Sequence, residues 1–376
     1  MITVRVLVHI VTWNSASAIR ACLMSLYAQE GFTFGEDISV HITDNASDDD
    51  TVAQVTEVTR AGVSISRNEE NLGFSGGHNQ GVHRAVVGKF THLLVLNPDV
   101  ALKPDCLKIL VAQFSKNPSI GSVTPKLLRA DRNLKPIEPR VIDAAGMVLE
   151  GSLRHFDRGA GEFDTGQFEN EAFVFGGTGA CLLISVECAW SVALPASAKG
   201  DGLYKIYPQL ERDVSPRVQL FDEAFFAYRE DADLAWRCRR LGWRCLYTPG
   251  AVAMHVRVVT PERRSDLPAD LNRYGVRNRF LLQLNNWSIK SGLSTLVFGI
   301  LWRNFLVVAG VIVKERSSLR ALRDVFALAR RALALRVEIE QRITEVRSRE
   351  PAVTLSQLND CGRTSREISL RERVSS

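Results

Sequence analysis

Three carboxylates, Glu230, Asp231 and Asp233, close the aromatic stretch Phe221-Asp-Glu-Ala-Phe-Phe-Ala-Tyr-Arg229, just ahead of Leu234, Trp236 and Leu241. Acids in a first turn suit the positive end of a helix dipole, so one reading is an acidic helix start. The other is a carboxylate at a cleft, placed to take a proton from an incoming hydroxyl. A further acid, Asp99, follows the apolar run Leu93–Leu96 in Leu96-Asn-Pro-Asp99. It is either a turn residue or a hard oxygen ligand for Mg2+ or Mn2+. His255 ends the apolar run Ala251-Val-Ala-Met-His255; a lone histidine is usually structural, but one at a strand end near carboxylates is a candidate metal ligand. The glycines of Asn71-Leu-Gly-Phe-Ser-Gly-Gly-His-Asn-Gln-Gly81 permit close approach of a ligand, with a helix expected from about Gly77 to aim its amides at an anion. A tight turn explains them as well. The spacing of Gly73, Gly76, Gly77 and Gly81 does not fit a dinucleotide fingerprint.

These residues need elements to hold them. Val4–Val11 is a nearly continuous β-branched run, as in a parallel strand covered on both faces, and Ile19, Cys22, Leu23 and Leu26 follow at helical spacing. Ile38–Thr43 reads as a second strand, ending in the polar cluster Asp44-Asn-Ala-Ser-Asp48; ligands bind at such strand ends in open α/β sheets. Val52, Val55 and Val58 mark the next helix, and Val63–Ser66 a third strand. A helix over Pro104–Phe114 and a strand over Ile120–Thr124 continue the alternation. From Lys126 to Glu171 the pattern weakens into loops with a hairpin, and Phe173–Ile184 returns to a glycine-marked strand. Pro195–Val218 reads as an insertion or mobile loop, with short strands at Cys245–Tyr247 and Ala251–His255.

The chain of 376 residues is long enough for one large domain or two. Its net charge of +5 is uneven: from Lys314 onward there are 14 Lys and Arg against 9 Asp and Glu, and the rest carries 33 of each sign. Acids are interleaved with that basic tail and aromatics are scarce after Phe326, so no nucleic-acid partner is expected. The seven cysteines form no CxxC pair, which points to buried thiols in a reducing compartment. The N-terminus lacks the marks of a signal peptide, and a cytoplasmic protein is expected. Ser291–Val313 is long and apolar, broken only by Arg303 and Asn304 near its middle. A central arginine costs a spanning helix about 2.5–3.5 kcal/mol, so an in-plane membrane helix is favoured over a dimer interface or a span. The helix over Lys314–Arg349 would rest its basic excess on anionic lipid, or pack as a soluble helical pair. The expected organisation is a catalytic domain over 1–257, a helical region over 258–350 and a disordered tail over 351–376.

In order along the chain, Val11-Thr-Trp-Asn-Ser15, Asp44-Asn-Ala-Ser-Asp48, Asn71-Leu-Gly-Phe-Ser-Gly-Gly77, Leu96-Asn-Pro-Asp99, Gly176-Gly-Thr-Gly-Ala180, Phe221-Asp-Glu-Ala-Phe-Phe226, Glu230-Asp-Ala-Asp-Leu234 and His255 resemble the segments of a family-2 glycosyltransferase of the GT-A fold. The rhamnosyltransferase branch is the most similar. The resemblance implies an α/β fold, Rossmann-like, with a mainly parallel sheet flanked by helices and a C-terminal helical extension. It implies that Asp44 accepts a hydrogen bond from the pyrimidine base of a nucleotide sugar, with Thr12 and Asn14 lining the same pocket. Asn71, Gly76, Gly77 and Asn79 would border the nucleotide and diphosphate. Asp99 matches the second acid of the family's DxD motif and would hold a divalent cation, Mg2+ or Mn2+, with His255 as a further ligand. Asn97 stands where the first acid would be, supporting the loop without a charge. Asp231 would be the general base, Glu230 and Asp233 would lie on the acceptor side, and Arg277 would reach a phosphate there unless it is only a surface arginine. The implied reaction is inverting transfer from a nucleoside-diphosphate sugar, dTDP-rhamnose foremost, to a cell-envelope glycan or lipid-linked acceptor at the inner face of the plasma membrane. A homodimer is a further partner the apolar segment allows. Two alternatives are a sugar-nucleotide-binding module without catalysis and a sugar-nucleotide pyrophosphorylase. The second would want a basic glycine-rich signature where this chain has Thr12-Trp-Asn-Ser15, and the first would lack Asp99 or Asp231.

Overall fold

The computed structural model describes residues 4–150, 154–212, 218–257, 269–287, 293–314 and 318–349. The apolar run at the start forms β1 (Val6–Thr12), buried along nearly its whole length, and α1 (Ala16–Tyr27) lays Ile19, Cys22, Leu23 and Leu26 against the sheet. β2 (Ile38–Asp44), α2 (Thr51–Val58), β3 (Val63–Arg67), α3 (Gly73–Val87) and β4 (His92–Leu96) follow. β1 pairs in parallel with β2 and β4, and β2 with β3, so four neighbouring strands present their carboxyl ends along one edge. Short strands and helices come next: β5 (Val100–Leu102), α4 (Cys106–Ala112), β6 (Ile120–Arg129), β7 (Ile142–Ala144), β8 (Met147–Leu149), β9 (His155–Asp157), β10 (Ala172–Val174) and β11 (Cys181–Ser185). Then come α5 (Val186–Ser191), β12 (Leu194–Pro195), α6 (Gly202–Ile206), β13 (Val218–Gln219), α7 (Glu230–Arg240) and β14 (Arg244–His255). Beyond β4 the sheet is mixed: β11 runs antiparallel to β4 and β6, and β14 runs parallel to β6.

Several expectations change in detail. α3 begins at Gly73, whose φ of +71° turns the chain into the helix, and not near Gly77. Gly77 is then inside the helix, where a Cβ would come within 2.8 Å of both Val11 methyls. The helix and β1 approach too closely for any larger residue. The two short strands near 245 and 251 are one strand, β14, bent by a register shift between Thr248 and Val252. Phe173–Ile184 is two strands, β10 and β11, separated by the Gly176–Ala180 loop. The hairpin expected within 126–171 is β8–β9. The described part of Pro195–Val218 is structured, with Leu203, Tyr204 and Leu210 buried against Leu72 and Phe225.

The C-terminal helices are α8 (Ala269–Asn286), the π-helical turns Thr295–Trp302, α9 (Arg303–Lys314) and α10 (Leu319–Arg349). Leu281, Leu282, Ile300, Leu328 and Ala332 share a core with Phe225 and Trp236 of the α7 region. One compact unit runs Met1–Arg336, and Val337–Ser376 forms a second. The tail 351–376 and Cys361 lie outside the described residues. The other six cysteines are buried thiols, as expected. Among the described helices, Thr295–Val313 is long and apolar enough to cross a membrane by length and composition, with mean hydropathy 2.2.

Candidate active site

Parallel register brings Thr12, Asp44 and Arg67 level at the ends of β1, β2 and β3. Thr12 Oγ1 donates to Asp44 Oδ1 at 2.8 Å, Ser47 Oγ to the same oxygen at 2.6 Å, and the Ser47 amide to Oδ2 at 3.0 Å. Thr12 and Asp44 are wholly buried, so this carboxylate ties the ends of β1 and β2 to the turn that follows and is not, as expected from sequence, an open acceptor for a base. Asn14 shapes the rim: its φ is +51°, its amide donates to Ser47 Oγ at 2.9 Å, and its Oδ1 accepts from the Asp48 amide at 3.0 Å. That turn leaves Trp13 58% exposed, while Arg67 Nη2 donates to Ser47 O at 2.7 Å. Trp13 and Arg67 were not singled out from sequence. An exposed indole and a guanidinium are groups on which a planar base can stack. The available signal was a tryptophan directly after a buried strand.

Asp99 and His255 meet because β5 pairs antiparallel with β14, setting Val100 opposite His255. His255 Nε2 lies 3.5 Å from Asp99 Oδ1, and Nδ1 donates to Asp143 Oδ2 at 2.7 Å. Burial works against charge on the imidazole, but Asp143 and Asp99 outweigh it and push its pKa up to about 10. Arg257 joins this cluster, 3.2 Å from Asp143 Oδ1 and 2.6 Å from Asp157 Oδ2. Burial acts against ionisation of Asp143, yet its bonds to His255 and Arg257 hold it below the usual carboxylate range. Sequence reasoning missed Asp143; an acid inside the apolar Val141–Ala145 was the signal.

The pair suits a divalent cation. Asp99 Oδ1 is buried and makes no contact tighter than its 3.5 Å approach to His255 Nε2, so a hard cation that took the place of the imidazole proton would be bound by both. Asp143 behind His255 holds Nδ1, as a carboxylate that orients a metal-binding imidazole would. No group of three or more acids, histidines or cysteines able to hold a metal occurs among the described residues. A cation here would complete its shell with phosphate oxygens or water. Asn97 braces the turn: its amide donates to Ala180 O at 2.9 Å, tying the Asp99 loop to Gly176–Ala180.

The same glycine loop reaches Asp231. The Gly179 amide donates to Asp231 Oδ2 at 3.1 Å, and the Ala232 amide to Oδ1 at 2.7 Å. Burial raises the proton affinity of Asp231, the charge of Asp157 adds to it, and the two amides pull it back. Glu230 is buried with Oε2 unpartnered among the described residues; burial and then Asp231 push its pKa well up. Tyr228 is held protonated by burial and by the charges of Glu230 and Asp99, so both acidic groups bear on one ring. Asp231 starts α7, as one sequence reading expected, and its carboxylate is held by the Gly179 and Ala232 amides.

An unusual backbone sets that placement. Phe226, Tyr228 and Arg229 have φ of 62°, 71° and 73°, left-handed conformations costing about 1–3 kcal/mol each for side-chain-bearing residues. Asn278 holds them: its Nδ2 lies 2.9, 2.8 and 2.7 Å from the carbonyls of Phe225, Ala227 and Tyr228. Asn278→Ala is expected to destabilise the fold by about 1–3 kcal/mol, the usual penalty for stranding buried acceptors. Turnover should fall with donor affinity preserved. An unchanged melting temperature with wild-type turnover would remove this role from Asn278.

Other predicted site residues are internal ties. Arg277 is wholly buried, bonded to Tyr207 Oη and, at 2.7 Å, to Phe225 O, so it is neither on the surface nor turned to an acceptor phosphate. Asn79 is buried too, its amide donating to Phe221 O at 2.9 Å and its oxygen accepting from Phe221 N at 3.0 Å. Asp233 pairs with Arg237 at 2.9 Å and accepts from Asn286 at 2.6 Å. Asn71 Oδ1 accepts from the Gly73 amide at 2.8 Å, ordering the entry to α3. Gly76 and Gly77 are buried inside that helix, with Leu72 and Leu210 closing on Gly76. Each was plausible as a ligand contact because a buried tie and a binding residue use the same side chains.

Residues 4–273 match the profile described as "Glycosyltransferase like family 2". The chain is 24% identical over 232 residues to the Mycobacterium tuberculosis N-acetylglucosaminyl-diphospho-decaprenol L-rhamnosyltransferase, covering 58% of this chain and 66% of that one. It is 31% identical over 122 residues to an uncharacterized M. tuberculosis protein, covering 32% of this chain and 35% of the other. The chain thus spans about a third of one relative's length and just under two thirds of the other's. Among solved structures, GalNAc-T7 with UDP, GalNAc and Mn2+ aligns with a TM-score of 0.55 at 13% identity, over 89% of this chain and 55% of that one, a likeness of fold. The mixed sheet built on β1, β2 and β4 is thus a GT-A sheet, and the chain belongs to glycosyltransferase family 2.

Proposed function

We propose that this glycosyltransferase moves a sugar, with inversion, from a nucleoside-diphosphate donor to a hydroxyl of a lipid-linked or cell-envelope glycan, working at the cytoplasmic face of a membrane. The observation that carries the reading is the Gly176–Ala180 loop, which holds Asp231 on one side and the Asp99 turn on the other. Asp231 takes the proton of the acceptor hydroxyl, whose oxygen bonds to the anomeric carbon. The bond from that carbon to the diphosphate breaks opposite the attack, and the diphosphate leaves with the electron pair. A divalent cation held by Asp99 and His255 would supply positive charge to the leaving group. The base would stack on exposed Trp13 or on Arg67 at the strand ends, over a floor that buried Asp44 braces. Rhamnose from dTDP-rhamnose is the donor to test first, supported by the named mycobacterial relative. Membrane contact is supported by exposed Phe298, Leu301, Trp302, Phe305 and Leu306 along Thr295–Val313, with a second copy of the chain the alternative cover.

The test is a donor screen on purified protein, reading thermal stabilisation by dTDP-, UDP- and GDP-sugars with and without Mn2+. At a hundredfold excess over Kd a ligand adds about 2.7 kcal/mol, an easily read shift. Selective, Mn2+-enhanced stabilisation by dTDP-rhamnose is expected. Stabilisation by UDP-sugars instead would keep the transferase and discard rhamnose, and silence from every donor would overturn nucleotide-sugar use.

A further inference from the structure

Four arginines, Arg154, Arg229, Arg279 and Arg303, line one cavity of about 670 Å³ between α8, the start of α9 and the approach to α7. No acid is among its lining residues. Its other walls include Trp302 and Leu306, both more than half or half exposed at 55% and 50%, which continue the apolar face of Thr295–Val313. Such a volume is in the range of sites for small molecules.

We propose that this cavity binds the phosphate or diphosphate head of a lipid, the guanidinium groups taking its oxygens and the Trp302–Leu306 edge its first apolar carbons. Guanidinium forks bind phosphates in paired, charge-assisted hydrogen bonds, and four of them match a head group carrying several anionic oxygens. Arg279 is aimed in advance: its Nε donates to Asn304 Oδ1 at 3.1 Å, and Asn304 Nδ2 donates to Gln283 Oε1 at 2.7 Å. Its Nη2 is buried without a hydrogen-bond partner among the described residues. Burial, then the charges of Arg154 and Arg303, make Arg279 hold its proton less tightly than usual. Collecting like charges this way weakens the empty fold, and an anion relieves it.

Gly275 gives an independent sign. It sits inside α8 on the cavity wall, where glycine weakens a helix. A Cβ built on it meets nothing within 4 Å, so packing does not require glycine there. What it preserves is open space. Arg229 directly precedes Glu230 and Asp231, and its charge lowers the proton affinity of Asp231. A head group seated here therefore brings the sugar it carries towards the base. Only this last step rests on the proposed transferase reading; binding of the lipid head does not.

The test uses the full chain in EDTA, without donor, so that cation-held diphosphate does not contribute. Farnesyl diphosphate, farnesol, inorganic pyrophosphate and dTDP are titrated by calorimetry. Farnesyl diphosphate should bind at least about tenfold tighter than the other three. Arg279→Gln and Arg303→Gln should each weaken it about tenfold without lowering the melting temperature, since each removes a like-charge repulsion. Gly275→Leu, which fills the cavity and improves the helix, should abolish binding in a protein at least as stable. Farnesol binding as tightly, pyrophosphate or dTDP binding as tightly, or undiminished binding by the Gly275 variant would each overturn the proposal. Failure of the donor screen with farnesyl diphosphate binding intact would strike the transferase reading and leave this site standing.

Discussion

Asp231→Asn is expected to lower kcat by about 10²–10⁴-fold, the usual contribution of a positioned general base, while donor binding stays within a few-fold. The substitution keeps the shape of the side chain between the Gly179 and Ala232 amides and removes its ability to accept a proton. Steady-state turnover and thermal stabilisation by donor, measured on one preparation, separate the two effects. Retained turnover would remove the base assignment. The pH profile adds a check of sign. Burial and the charge of Asp157 raise the Asp231 pKa, so the deprotonated, active form is lost as pH falls through a value above the ordinary carboxylate pKa of about 3.9. The acid limb of kcat/KM should sit correspondingly high. Asp157→Asn removes the nearby negative charge, and should move that limb to lower pH. A limb that stays put in this variant would mean that another group limits the acid side.

The sheet was largely legible because β1, β2 and β4 are buried on both faces, and a doubly buried strand reads as an unbroken apolar run. β10 and β11 were merged because each is too short to show a period, and the Gly176–Ala180 loop between them is itself apolar. Asp231, Asp99 and His255 stood out for a different reason: each ends or follows an apolar element, although a helix start, a turn or a structural histidine accounts for such a residue too. Asn79, Arg277 and Asp233 share that polarity, but apart from near neighbours such as Arg237 beside Asp233 their partners lie far away in sequence, such as Phe221, Phe225 and Asn286. Only tertiary structure separates a tie from a ligand. The arginine cavity lies further still beyond reach of sequence, since Arg154, Arg229, Arg279 and Arg303 come from four separate segments, and only Arg303, inside an apolar run, has a local pattern that marks it.

Asp99→Asn should have the second large effect, and one of a different kind. It removes the negative charge beside His255 and leaves the turn braced by the Asn97 amide on Ala180. Because Asn97 brings no charge of its own, no neighbouring acid in that turn compensates. Charge stabilisation of a leaving group is worth about 10²–10³ in kcat when one such interaction is lost, so a drop of that order is expected. Unlike Asp231→Asn, this change should also erase the Mn2+-dependent part of donor stabilisation and leave the Mn2+-independent part. Asp143→Asn tests the same site from behind: it keeps the contact with His255 but weakens its hold on the imidazole. Loss of such an orienting carboxylate costs about 10–100-fold in metal affinity, so its defect should shrink as Mn2+ is raised. The defect of Asp99→Asn should not shrink, since added metal cannot restore a missing ligand. If excess Mn2+ rescued Asp99→Asn as fully as Asp143→Asn, Asp99 would be an orienting residue too, and the cation would be held elsewhere.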